Sequence, residues 1–165
     1  AHVCYEKSPL GNLRIVEEEG WIVQLLFEPT EVPLPEGTEE GTNEVLEEAV
    51  RQLREYFSGQ RQEFVLPLKQ KGTDFQQRVW KALIEVPYGE TKTYRDIAES
   101  IGCPKGCRAV GMANHRNRLM IVVPCHRVIG ADGTLTGYAA GIERKEGLLQ
   151  LEKKKSAKFC KNGKD

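Results

Sequence analysis

The spacing of apolar residues changes along this chain, and that change bounds the folds open to it. Residues 8 to 29 alternate and turn: Ser8-Pro9-Leu10-Gly11-Asn12 is turn chemistry, Leu13 to Val16 is apolar, an acidic turn ends at Gly20, and Trp21 to Phe27 is apolar again. A period of two broken by Gly and Pro predicts two strands of a hairpin. Beyond residue 42 the spacing is helical. Thr42 or Asn43 can cap a helix carrying Val45, Leu46, Ala49, Leu53 and Phe57, with Gly59 as its stop, and Thr73-Asp74 can cap another carrying Phe75, Val79, Trp80 and Leu83. The second helix should end around Pro87-Tyr88-Gly89. Strands followed by helices predict an α/β (α+β) chain, a small sheet with a helix and then a mostly helical part.

Residues 29 to 42 read as a Pro/Gly/Glu loop, and a second break falls at Lys69 to Gly72. The expected division is therefore 1–71, 72–152, and a basic flexible tail over 153–165. The charge follows the same line. Residues 1 to 72 hold 7 Lys+Arg against 14 Asp+Glu, whereas 73 to 165 hold 17 against 10, so a formal net charge of zero conceals two halves of opposite sign. Residues 92 to 127 carry seven basic and two acidic side chains, an excess that suits either a polyanion or a solvated face.

The longest apolar stretches, Trp21 to Phe27 and Leu119 to Val123, are too short to span a bilayer, and no leader pattern opens the sequence. A cytoplasmic, monomeric protein with no membrane partner is expected. The five cysteines, Cys4, Cys103, Cys107, Cys125 and Cys160, are odd in number and irregularly spaced, which predicts reduced thiols.

Thr93 begins a short segment with Tyr94, Ile97, Ala98 and Ile101 at helical spacing, Gly102 stops it, and a second helix follows through Arg108 to Asn114. Two short helices around a Gly turn form a helix-turn-helix pattern, which is also a common packing unit. Gly106 and Gly111 would allow close backbone approach, and Arg108 could project towards a groove or sit in a surface ion pair. Tyr94 could be core or could touch a phosphate. Val128 to Leu135 reads as a hairpin around Asp132-Gly133, a possible wing.

Ile121-Val122-Val123-Pro124-Cys125-His126-Arg127-Val128 delivers a cysteine after a proline and before an imidazole. A thiol needs help to ionise at neutral pH, and a neighbouring His is a usual source. In an extended segment adjacent side chains point apart, so a bridging water is the simpler route between them. A buried structural thiol is the other reading.

Pro124-Cys125-His126-Arg127-Val128 resembles the acceptor-site signature of the O6-alkylguanine-DNA alkyltransferases. The likeness extends through Ser8-Pro9-Leu10-Gly11, Gly72-Thr73-Asp74-Phe75-Gln76, Val79-Trp80, Pro87-Tyr88-Gly89-Glu90-Thr91, Arg108-Ala109-Val110-Gly111, Gly137-Tyr138-Ala139 and Arg144-Lys145. It implies a ribonuclease H-like amino-terminal domain and a winged helix-turn-helix carboxy-terminal domain. It also implies direct repair of double-stranded DNA: the alkyl group of O6-alkylguanine passes once to Cys125, with no cofactor. By the same resemblance His126 takes the thiol proton through water, Glu152 orients the imidazole, and Tyr94 assists rotation of the nucleotide and protonates the departing guanine. Arg108 fills the space the base leaves, Asn117 is a hinge, Ala109 and Gly111 lie on the DNA-facing helix, and Val128, Tyr138, Ala139 and Lys145 line the guanine pocket.

Arg118 departs from the family, which commonly has proline there. His2 and Cys4 are two ligands where structural zinc wants four, so no metal is expected. Alkyltransferase-like lesion binders lack the acceptor cysteine. A sequence-reading winged-helix regulator would need base-specific side chains where this chain offers Gly, Ala and Val, and nothing suggests the oxyanion hole of a thiol hydrolase.

Overall fold

The computed structural model describes residues 1–135 and 137–163, with side chains as far as Lys155. The chain divides into two compact units, Ala1–Lys71 with Arg118–Met120, and Gly72–Asn117 with the chain from Ile121 onward.

The first unit is built on strands β1 (His2–Ser8), β2 (Gly11–Glu18), β3 (Trp21–Phe27) and β4 (Glu39–Glu40), in the order β3-β2-β1-β4. The expected hairpin is β2–β3. Its reversal uses Glu19 at φ 52° and Gly20 at φ 86°, the positive-φ pair that matches the twist of the flanking strands. β1 joins as a third, antiparallel strand and β4, inside the expected loop, pairs parallel with β1. Neither was read from the sequence: β1 precedes the segment that alternates, and β4 is a two-residue pair of glutamates with no apolar pattern.

Helix α1 (Glu44–Phe57) begins at Asn43, whose side chain accepts a hydrogen bond from Leu46 N at 3.0 Å, satisfying a donor at the helix start. Leu46, Ala49, Leu53 and Tyr56 are buried, with Leu13, Ile15, Ile22 and Leu25 of the sheet. The open edge of β3 is covered by the chain itself. Ile22 exchanges bonds with Pro67 and Lys69, and Leu25 with Arg118 and Met120, at 2.7–3.0 Å. Pairing an edge in this way removes its tendency to recruit other strands.

The second unit contains α2 (Asp74–Ile84), α3 (Tyr94–Ser100), α4 (Cys107–His115) and α5 (Ile142–Gly163). Thr73 with Gln76, and Thr93 with Asp96, form reciprocal capping boxes at the starts of α2 and α3. Trp80 anchors α2 to α4 by donating from Nε1 to the Ala113 carbonyl at 2.9 Å. Gly102, at φ 74°, ends the turn after α3.

Two expectations are corrected. Val128 to Leu135 is not a two-stranded hairpin: β6 (Val128–Ile129) pairs in parallel with β5 (Lys92–Thr93), and residues 130–134 form only a tight turn closed by Gly130 N to Thr134 O. Asp-Gly supplied the turn chemistry, but the flanking residues found a better ladder partner in β5. The backbone from Lys153 continues α5 to Gly163 instead of loosening, as Lys and Ala are good helix formers. Thr136 and the side chains beyond Lys155, Cys160 included, lie outside the described residues. No described helix is long and apolar enough to cross a membrane.

Candidate active site

Ile121, Val122 and Val123 are buried and lead into Pro124 at φ −79°, ψ 64°. Those angles are those of an inverse γ-turn, closed here by Cys125 N to Val123 O at 2.7 Å, and the proline ring presets the φ that the turn needs. Cys125–Arg127 then forms one 3₁₀ turn. The extended presentation expected for Cys125 and His126 is therefore wrong: in a 3₁₀ turn successive side chains diverge by about 120°, not 180°. Two asparagines fix the segment. Asn114 of α4 donates to the Cys125 carbonyl at 3.2 Å, and Asn117, just past α4, donates to the Val123 carbonyl at 2.9 Å.

Cys125 is only 3% exposed. Burial pushes its thiol up to about 11, opposed by the Asn117 side chain and the positive charge of Lys145, so at neutral pH the resting group is a thiol and not a thiolate.

His126 is fully buried beside it, with Nε2 2.6 Å from Glu152 Oε2. Arg127 donates from Nε to Glu152 Oε1 at 2.8 Å, from Nη2 to Oε2 at 3.1 Å, and from Nη1 to the Val86 carbonyl at 2.7 Å. Burial opposes ionisation of Glu152, but His126 and Arg127 outweigh it and hold the carboxyl at about 2. Burial depresses His126, against the pull of Glu152. The stable charge state is thus a Glu152–Arg127 ion pair carrying a neutral imidazole, whose Nε2–H donates to Glu152. His126 Nδ1 has no hydrogen-bond partner among the described residues.

Helix α5 supplies both Glu152 and, two turns earlier on the same face, Lys145. Lys145 is wholly buried and donates from Nζ to the Val128 carbonyl at 2.5 Å; burial lowers its pKa. Its Nζ stands 6.0 Å from the centre of the Tyr94 ring. The Tyr94 hydroxyl lies 3.3 Å from where a Cβ on Gly137 would be, and its ring 3.9 Å from the same point on Gly111, so it fills the space between α4 and residue 137. Tyr138 is buried, its hydroxyl unpartnered among the described residues and its pKa raised by burial.

The structure thus gathers Cys125, His126, Glu152, Asn117, Val128, Tyr138 and Lys145 into one buried cluster, with Tyr94 half-buried against Lys145. Ala139 is exposed. Arg108 and Ala109 are exposed on α4, and Arg108 and Gly111 border a cavity of about 600 Å³ together with Tyr94 and Met112. Sequence reasoning missed Arg127 and Asn114. A buried arginine must find a carboxylate, and the signal available was its place between His126 and a run whose every side chain is apolar.

Residues 3–70 match the model of the 6-O-methylguanine DNA methyltransferase ribonuclease-like domain, and residues 74–154 that of the 6-O-methylguanine DNA methyltransferase DNA-binding domain. The chain belongs to this family. A methylated-DNA–protein-cysteine methyltransferase of Methanosarcina barkeri is 50% identical over 148 residues, covering 88% of this chain and 93% of that one. The constitutive methyltransferase of Bacillus subtilis is 50% identical over 152 residues, covering 89% and 92%. Among solved structures, Mycobacterium tuberculosis OGT in complex with DNA is 45% identical, with a TM-score of 0.88 and 94% of each chain covered. The family's fold, a ribonuclease-like domain followed by a DNA-binding domain with a helix-turn-helix, is therefore the fold of this chain.

Proposed function

We propose that this protein repairs DNA by transferring the alkyl group of O6-alkylguanine to its own Cys125, once per molecule. The observation that supports the reading is the burial of Cys125 next in sequence to His126, whose imidazole is bonded to Glu152. Glu152, kept anionic by Arg127, accepts from His126 Nε2 and so leaves the Nδ1 lone pair as the base. A thiol held at about 11 is inert until that base takes its proton, through one water, as the lesion arrives. Activation is thereby tied to occupancy of the pocket.

The thiolate sulfur attacks the alkyl carbon, the carbon–O6 bond breaks, and its electron pair returns to guanine. Tyr94 supplies the proton that makes guanine a neutral leaving group, with Lys145 beside its ring to favour that transfer. Sulfur, carbon and O6 must be in line, which a stacked base forbids, so the nucleotide rotates out of the duplex into the space edged by Tyr138, Ala139 and Val128. Arg108, exposed on α4, takes the place it leaves. A thioether has no easy return path, and stoichiometry replaces turnover.

Incubation with a duplex carrying one O6-methylguanine should add one methyl to Cys125 by intact-mass and peptide analysis, and none to Cys125→Ser. Tight lesion binding without a mass change would make the protein a damage sensor instead.

A further inference from the structure

Met112 is 62% exposed on α4, in a setting that solvent exposure alone does not explain. Its neighbours on the same helix face are Arg108 four residues before, His115 three after and Arg116 four after, all exposed. A thioether thus stands inside a ring of groups suited to phosphates. Beside it Gly111 leaves the surface bare. A Cβ there would meet only the Tyr94 ring at 3.9 Å, an ordinary contact, so internal packing does not demand glycine; its effect is to let Met112 stand proud of the backbone.

We propose that Met112 is a positioning residue for lesion extrusion, an apolar wedge that enters the minor groove beside Arg108 and presses on a neighbouring base step. The inference rests on the reading of α4 as the DNA-facing helix. Residues four apart on a helix are separated by about 6 Å along its axis, whereas successive bases rise by about 3.4 Å. Arg108 and Met112 therefore cannot serve one step. With the guanidinium in the vacated position, the methionine falls one to two steps along the same groove. Flexible apolar side chains inserted there unstack bases and bend the duplex, and here that would lower the barrier to rotating the alkylated nucleotide out. Met112 touches no reacting atom, so it governs delivery of the base and not its chemistry.

The test compares single-turnover methyl transfer from one O6-methylguanine in a duplex and in the same sequence as a single strand, which needs no extrusion. Met112→Ala should slow repair of the duplex about tenfold and leave the single strand within about twofold of wild type. Met112→Leu should restore the duplex rate, and Met112→Gln should not, with 2-aminopurine fluorescence beside the lesion reporting the lost unstacking. A Met112→Ala rate on duplex equal to wild type, or an equal loss on both substrates, would overturn the wedge while leaving the assignment of Cys125 intact. A wild-type protein that takes no methyl from either substrate would overturn both.

Discussion

Replacing Arg127 with methionine should remove much of the stability of the second unit. Arg127 bonds the buried Glu152 carboxylate by two of its nitrogens. Methionine keeps most of the volume and leaves the carboxylate buried without its guanidinium partner. Breaking a buried ion pair from one side typically costs about 3–5 kcal/mol. The titration of Glu152 agrees in direction: His126 and Arg127 together hold its pKa at about 2, against 4.5 when unpaired, so its ionisation stabilises the fold and Arg127 supplies part of that gain. At about 2–4 °C per kcal/mol for a chain of this size, the melting temperature should drop by about 6–20 °C. Because the folded pKa is depressed, this stability is present above pH 4.5 and is lost as pH falls from there towards 2, so the variant should lie furthest below wild type at neutral pH and converge with it in acid. Urea denaturation can be followed at Trp80 in a Trp21→Phe background, where Trp80 is the remaining tryptophan. Adding Glu152→Gln to Arg127→Met should recover part of the loss, a coupling of at least about 1 kcal/mol. If Arg127→Met stays within about 0.5 kcal/mol of wild type at pH 7, or the two substitutions simply add, the buried ion pair does not carry the weight assigned to it.

Gly72→Ala should cost about 1–3 kcal/mol, because a Cβ there would lie 2.5 and 2.6 Å from ring atoms of the buried Trp80, which cannot move away without disturbing its bond to Ala113. A thermal melt unchanged by the substitution would show that the ring can yield. His126 acts as base only when neutral, and burial lowers its pKa from 6.5. The acid limb of the transfer rate should therefore fall below pH 6.5. A limb centred at or above that value would mean that Glu152 keeps the imidazole charged.

Much of this was legible because it is local. Asn43, Thr73 and Thr93 announce their helices through side chains that bond within three residues, and the alternation of Leu13 to Phe27 needs only one buried face. What escaped is set by distance. Arg127 acts through Glu152, 25 residues away on another helix, and nothing in a window around either shows the other. The γ-turn and 3₁₀ turn at Pro124 to Arg127 depend on carbonyls captured by Asn114 and Asn117, so an isolated reading of the segment defaults to a strand. The resemblance supplied Glu152 and Lys145 as candidates; their burial and shared helix face give the physical reason that both come from α5.

The excursion of residues 118–120 to the edge of β3 has an evolutionary consequence. A domain joined by a single crossing can be copied, lost or exchanged by one recombination event. Here a cut at Lys71 would carry off a sheet without the segment that pairs with Leu25, and would strand Leu119 and Met120, both nearly fully buried, in the remainder. Recombination at that boundary yields two incomplete products, so the two halves of this chain should be inherited together.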